Sequence, residues 1–384
     1  MTGAALPTNE LGQVVARSKV VVCCGSGGVG KTTTAALIAM EAARSGRKAV
    51  VVTIDPARRL ADALGLEGLT NEPSQINGGW PGELWALMLD TKSTFDGLVR
   101  RYSTTETQAE AILTNNFYKN ISGSLSGTQE YMATEKLFEL AVEGDYDLVV
   151  VDTPPTRNAL DFLEAPHRLA HFLDHRLYRV LTTPAKGFVK AVNVAAQTLV
   201  RALAKVVGAD VVDDAISFFQ AFEGMDEGFK DRAQQVDALL IDDSTAFVLV
   251  ASPKADTVVE AGYFAEQLHD HRIEVRGLIV NRMQPSFERP GHDEDELATG
   301  PEAVRRRAAT LADRPGAEAL VDHYTCLADA RELARGEASH LTGLTDRVAP
   351  APVVRVTLQP FEVTDLAALS GLGDVVFGRT AGSR

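Results

Sequence analysis

The chain has 384 residues, 45% of them hydrophobic and 23% charged, with 38 Lys and Arg against 52 Asp and Glu. That supplies apolar material for one large core or two modest ones, and a formal charge of −14 argues against nucleic acid as a partner, because phosphate contacts need clustered cations. Three cysteines build neither a disulfide framework nor a four-thiolate zinc site within one chain, no run of apolar residues is long enough to span a bilayer, and no signal-peptide order opens the sequence, so a cytoplasmic protein is expected.

Residues 1–17 read as a polar lead-in. Then comes KVVVCCGSGGVGKTTT, residues 19–34: a β-branched run, a Gly-x-x-x-x-Gly-Lys-Thr loop and a helix-forming run over 35–44. Glycines at 25, 27, 28 and 30 let successive backbone N–H groups curl inward, and the helix after them adds its positive end, so the concavity fits a polyphosphate. In such a loop Lys31 sits against the β- and γ-phosphates and the Thr32 hydroxyl is a Mg²⁺ ligand. Cys23 and Cys24 read as small buried hydrophobes, and Cys326 stands alone in a helical run.

Residues 48–54, KAVVVTI, form a continuous apolar run of the kind a strand covered on both faces requires. Asp55 comes next, where ligands bind in open α/β sheets; the competing reading makes it the N-cap of a helix over 58–64. Residues 67–81 read as a surface connection and 84–89 as a strand. From 91 to 143 the pattern is helical, interrupted by a Ser- and Gly-rich loop at 121–127. Residues 146–151 are another buried strand, ending in Asp152, an acid placed to hold a Mg²⁺ shell through water. Prolines 154 and 155 stiffen the next few residues, a segment positioned to sense a γ-phosphate.

Residues 159–242 are helical in pattern, with breaks expected near Pro166, Pro184 and Gly208. A stripe of Phe188, Val192, Ala195, Leu199, Leu203 and Val206 recurs at helical spacing, and Phe218, Phe219, Phe222 and Met225 cluster; each is core or part of a surface receiving an apolar partner. Strands are expected at 246–251 and 275–280 with a helix at 257–271 between them, then a charged loop at 285–300. A helical stretch over 302–336 carries Arg305 to Arg307 on a solvated face. A strand at 353–358 and a helix or turn pair at 363–372 close the chain. This alternation predicts one α/β domain over 1–384, a doubly wound, mainly parallel sheet with a helix-rich subdomain over 159–242 inserted in it.

The motifs in order, Gly-Gly-Val-Gly-Lys-Thr-Thr, Thr-x-Asp-Pro-Ala, Tyr-Asp-x-Val-Val-x-Asp-Thr-x-Pro-Thr and Val-Asn-Arg, resemble the arsenite-pump and tail-anchored-protein-targeting ATPases. The resemblance implies a P-loop NTPase fold with the deviant Walker A loop of nitrogenase-iron-protein-like ATPases. It further implies a dimeric, cytoplasmic enzyme that binds ATP/ADP and Mg²⁺ and whose nucleotide state exposes or hides a hydrophobic groove for client segments. Under it Gly27, Gly28, Val29, Gly30, Lys31, Thr32 and Thr33 hold the phosphates, Thr32 and Asp152 serve Mg²⁺, and Asp55 orients the attacking water. Residues 55–62 and 152–160 become switches, Asn281 contacts adenine, and 357–361, with Pro360 and Phe361, approach the base.

Several positions depart from the family pattern. Where the family carries a Lys that reaches the partner's nucleotide, this chain has Ser26, and a hydroxyl cannot replace a cation that offsets charge on a transferring phosphoryl group. A homodimer is therefore expected to hydrolyse ATP poorly, and a heterodimer with a Lys-bearing paralogue is the favoured assembly. Arg58 and Ala61 replace His and Ser in the first switch, and Arg157-Asn158 replace Gly-His in the second. With no Cys-x-x-Cys and no Cys triad, zinc bridging and arsenite transport are disfavoured. Three functions fit these residues: a chaperone or targeting factor for hydrophobic segments, a weakly hydrolysing regulatory subunit, and, least favoured, a partition ATPase, which would want a basic amphipathic terminus.

Overall fold

The computed structural model describes residues 9–55, 59–121, 128–154, 156–174, 208–287 and 300–379. Eight strands form one sheet in the order β3-β4-β2-β5-β1-β6-β7-β8. They are β1 Val20–Gly25, β2 Lys48–Thr53, β3 Ser74–Ile76, β4 Glu83–Met88, β5 Leu148–Asp152, β6 Thr245–Ala251, β7 Val275–Met283 and β8 Val353–Thr357. Every pairing is parallel except β3 with β4. The chain winds outward from β1, returns to β5 beside it, then crosses to β6, β7 and β8 on the other side. The sheet is the doubly wound, mainly parallel one the alternating pattern predicts.

Why the central strands read as unbroken apolar runs is visible in their packing. Val20, Val22 and Cys24 enter one buried cluster while Val21 and Cys23 enter the other. Successive side chains point to opposite faces and both faces are covered, so polar residues are confined to the strand ends. Cys23 and Cys24 thus lie on opposite faces, and burial raises both thiols above their ordinary value.

One face carries α2 (Lys31–Arg44), directly after the loop, with α1 (Glu10–Arg17) and the C-terminal helix Leu366–Val376. The other carries the helices between β4 and β5, those between β5 and β6, and Ala255–Asp270.

Several elements depart from expectation. The lead-in contains α1, capped by the Asn9 side chain and burying Leu11 and Val15, which the polar neighbours mask in a short window. The 67–81 connection holds β3, an antiparallel edge strand of three residues and too short for a periodic signal. Pro166 lies inside the helix Thr156–Asp174 rather than breaking it. The 302–336 stretch is two helices, Pro301–Leu311 and Glu318–Val348, parted by the turn containing Pro315-Gly316. Of the two readings of the aromatic cluster, core holds for Phe218, Phe222 and Met225, which are buried: Phe218 stacks with Tyr118, and Phe222 stacks with Phe229 and lies tilted against Phe95. The 188–206 stripe, Pro184, Arg58 and nearly all of the 121–127 and 285–300 loops lie outside the described residues.

Candidate active site

Parallel pairing puts the C-terminal ends of β1, β2, β5, β6 and β7 along one edge, and the site is built there. Gly25 closes β1 opposite Val250 with φ +152°; a Cβ on it would lie 2.0 Å from the Val250 carbonyl oxygen. Gly30, the N-cap of α2, has φ +100° and ψ 25°, the left-handed region, and a Cβ there would lie 2.4 Å from Asn281 Nδ2. Both positions exclude a side chain by contact as well as by dihedral. Gly27 and Gly28 face open space on the exposed side of the loop.

Lys31 is buried, and its Nζ donates to the Ser26 carbonyl at 2.8 Å. Burial pulls the ammonium below its usual range, and the Asp152 carboxylate opposes that pull. Thr32 Oγ1 donates to Asp152 Oδ2 at 2.7 Å, and Thr53 Oγ1, at the end of β2, donates to the same oxygen at 2.9 Å. The other oxygen, Asp152 Oδ1, is buried with no hydrogen-bond partner among the described residues. Burial raises this carboxyl above its ordinary value, and the Thr32 and Thr53 hydroxyls work against the rise. A buried oxygen without a donor is costly, and a hard cation or its water shell satisfies it, so oxygen donors at Thr32 and Asp152 fit Mg²⁺.

Asp55 is half-buried at the end of β2, its N–H donating to Thr53 Oγ1 at 3.2 Å and its Oδ2 lying 3.7 Å from Arg59 Nη1. Arg59 thus brings a guanidinium beside Asp55, in the 55–62 segment expected as a switch, that the motif reading passed over; its i, i+4 spacing from Asp55 was the available signal. Asn281 donates from Nδ2 to the Val29 carbonyl at 2.9 Å and accepts the Arg282 N–H at Oδ1, so it braces the loop from β7. Pro360 and Phe361 are exposed beyond β8, tied to the end of β7 by the Leu358 N–H to Met283 carbonyl bond. Two contacts had no local signal. Gln129 Nε2, after a long helical stretch, donates to the Ile54 carbonyl at 3.0 Å, and Ser26 Oγ donates to Glu260 Oε2 at 2.5 Å.

The glycine-lined cradle, the lysine and the buried acid coincide with a family match: the sequence model of anion-transporting ATPases covers residues 18–292. The chain belongs to the anion-transporting ATPase family. Curated relatives agree with this. ATPase ASNA1 homolog 1 of Paramecium tetraurelia is 26% identical over 67% of this chain and 73% of its own length. ATPase GET3 of Malassezia globosa is 26% identical over 69% and 72% respectively. ATPase ARSA2 of Chlamydomonas reinhardtii is 27% identical over 73% and 72%. As an anion-transporting ATPase the chain is an ATP-hydrolysing enzyme of P-loop fold. Among the described residues no helix is long and apolar enough to cross a membrane.

Proposed function

We propose that this ATPase binds Mg·ATP with its triphosphate in the 25–33 cradle and works as a dimer whose opening and closing controls an apolar helical surface, in a chaperone or targeting role. The observation that carries the nucleotide assignment is the orphaned Asp152 Oδ1 beside Thr32, at the mouth of a loop whose Lys31 is already folded inward. Gly27 to Thr33 offer backbone N–H groups to the phosphates, and Lys31 neutralises charge at the β–γ bridge. Asp55, held by Arg59 and Thr53, orients water for in-line attack on the γ-phosphorus. Thr32 and Asp152 would hold Mg²⁺, which offsets phosphate charge when bound. The role of Asn281 toward adenine, with Pro360 and Phe361 nearby, rests on their common position at the ends of β7 and β8.

The dimer reading draws support from Val259 and Tyr263, 72% and 57% exposed on Ala255–Asp270, either side of the Glu260 that touches the loop. Large apolar groups beside a charge-handling loop are where a second subunit gains by packing. Because Ser26 brings no cation, the partner is a paralogous subunit bearing the Lys. The client surface is expected within the helix-patterned segment 159–242, of which Phe218 and Phe222 are buried in the core.

The test is the ATPase rate per molecule across a wide dilution series, with Lys31→Ala as blank, with and without the paralogue. The expected result is a rate near the blank for the chain alone and a rise when the partner is added. A rate that climbs with the concentration of this chain alone removes the need for a partner. The second reading, a weakly hydrolysing regulatory subunit, is favoured by the Ser26 hydroxyl being tied back to Glu260 of its own chain. A flat rate even with the partner selects it.

A further inference from the structure

Ser26 stands out for being held at both ends. It is buried, its hydroxyl donates to Glu260 Oε2 at 2.5 Å, and its carbonyl accepts from Lys31 Nζ at 2.8 Å. Glu260 belongs to a helix packed against the sheet through Ala261 and Phe264, so its backbone is fixed independently of the phosphate loop. A charge-assisted hydrogen bond from a rigid helix fixes the Ser26 peptide, and the peptide fixes where the ammonium rests. An ammonium has three donors, and the one engaged with Ser26 leaves two for further acceptors.

We infer that Glu260 is a positioning residue for the phosphate loop: through Ser26 it preorganises Lys31 to receive the β- and γ-phosphates of a nucleoside triphosphate. The inference rests on the assignment of the triphosphate to this cradle. Its chemistry has two opposed parts. The hydrogen bond lowers the ordering cost of binding, as preorganisation does. The carboxylate charge, so close to the polyphosphate site, works against an anion. A neutral acceptor of the same shape therefore keeps the benefit and drops the penalty.

The experiment is equilibrium binding of Mg·ATPγS and Mg·ADP to the full chain, for wild type, Glu260→Gln, Glu260→Ala, Ser26→Ala and Lys31→Ala, each checked for an unchanged urea midpoint. Glu260→Ala and Ser26→Ala are expected to weaken ATPγS binding about tenfold, the worth of one such hydrogen bond. Glu260→Gln is expected to bind at least as tightly as wild type. The two weakening substitutions combined cost no more than either alone, because both remove one link. Gln and Ala behaving alike at position 260, or all three variants binding as wild type does, overturns the inference. Lys31→Ala separates the two failures. If it abolishes binding while position 260 is silent, only the Glu260 link is wrong; if it binds normally, the cradle assignment itself fails.

Discussion

Replacing Asp152 with Asn tests whether this acid exists for the fold or for the cation. Its Oδ2 accepts from Thr32 and Thr53 at 2.7 and 2.9 Å, bonds that an Asn carbonyl can also accept. Its Oδ1 is buried with no partner among the described residues, so the two hydroxyls and the Lys31 charge offset only part of the cost of burying the carboxylate. Leaving such a group unsatisfied costs roughly 1–3 kcal/mol, and the isosteric amide removes the charged part of that cost. Asp152→Asn is therefore expected to stabilise the metal-free protein by about 1–2 kcal/mol, read as a higher urea midpoint at unchanged slope. Burial holds the carboxyl above its ordinary value in the folded chain. The folded state then binds the proton more readily than the unfolded one, and the wild type gains stability as pH falls from that raised value toward the ordinary Asp range. The gap between variant and wild type accordingly closes on acidification and widens on alkalinisation. Activity moves the other way: the variant is expected to lose about 100-fold or more of Mg²⁺-dependent turnover, and Mg·ATP should no longer raise its midpoint. A variant less stable than wild type in metal-free buffer at pH 8 refutes the reasoning and makes Asp152 a structural acid.

Gly30→Ala places a Cβ 2.4 Å from Asn281 Nδ2 at φ +100° and should cost about 1–2 kcal/mol of backbone strain as well as displacing the amide that holds Val29. ATPγS binding should fall at least tenfold, and the penalty should shrink in an Asn281→Ala background; an equal penalty in both backgrounds contradicts the contact. Arg232, buried, donates from Nε to buried Glu135 and from Nη1 to Glu143, and lies over the Phe138 ring. Arg232→Met should cost about 3–5 kcal/mol by urea denaturation because it strands Glu135, and adding Glu135→Gln should recover a good part of it. No recovery would mean that packing, not charge, is lost. Hydrogen bonds from Arg101 and then Arg232 hold the Glu143 carboxyl at about 2. Its contribution is present above the ordinary Glu range and lost as pH falls through about 2, so Glu143→Gln should flatten that acid limb of the stability profile; an unchanged limb assigns the acid sensitivity elsewhere.

How much was legible depended on how local each feature is. Strands β1, β2, β4, β5, β6 and β7 were readable because burial on both faces forces continuous apolar runs, and Gly25, Gly30, Lys31 and Thr32 because one loop needs them at fixed spacing. Asp55 and Asp152 were readable as acids ending such strands. Helix α1 and β3 were not, since α1 is held by packing of Leu11 and Val15 and β3 by one edge pairing with β4.

The sequence by itself determined the family, the phosphate cradle and the doubly wound sheet, because these depend on periodicity and on motifs whose residues are chain neighbours or sit at strand ends. Only the tertiary structure decided that Asn281 braces Val29, that Thr53 shares Asp152 with Thr32, and that Ser26 is tied to Glu260. These join residues separated by about a hundred positions or more. Such partners are selected by where the sheet order and helix packing deliver each side chain, and no short window of sequence carries that geometry.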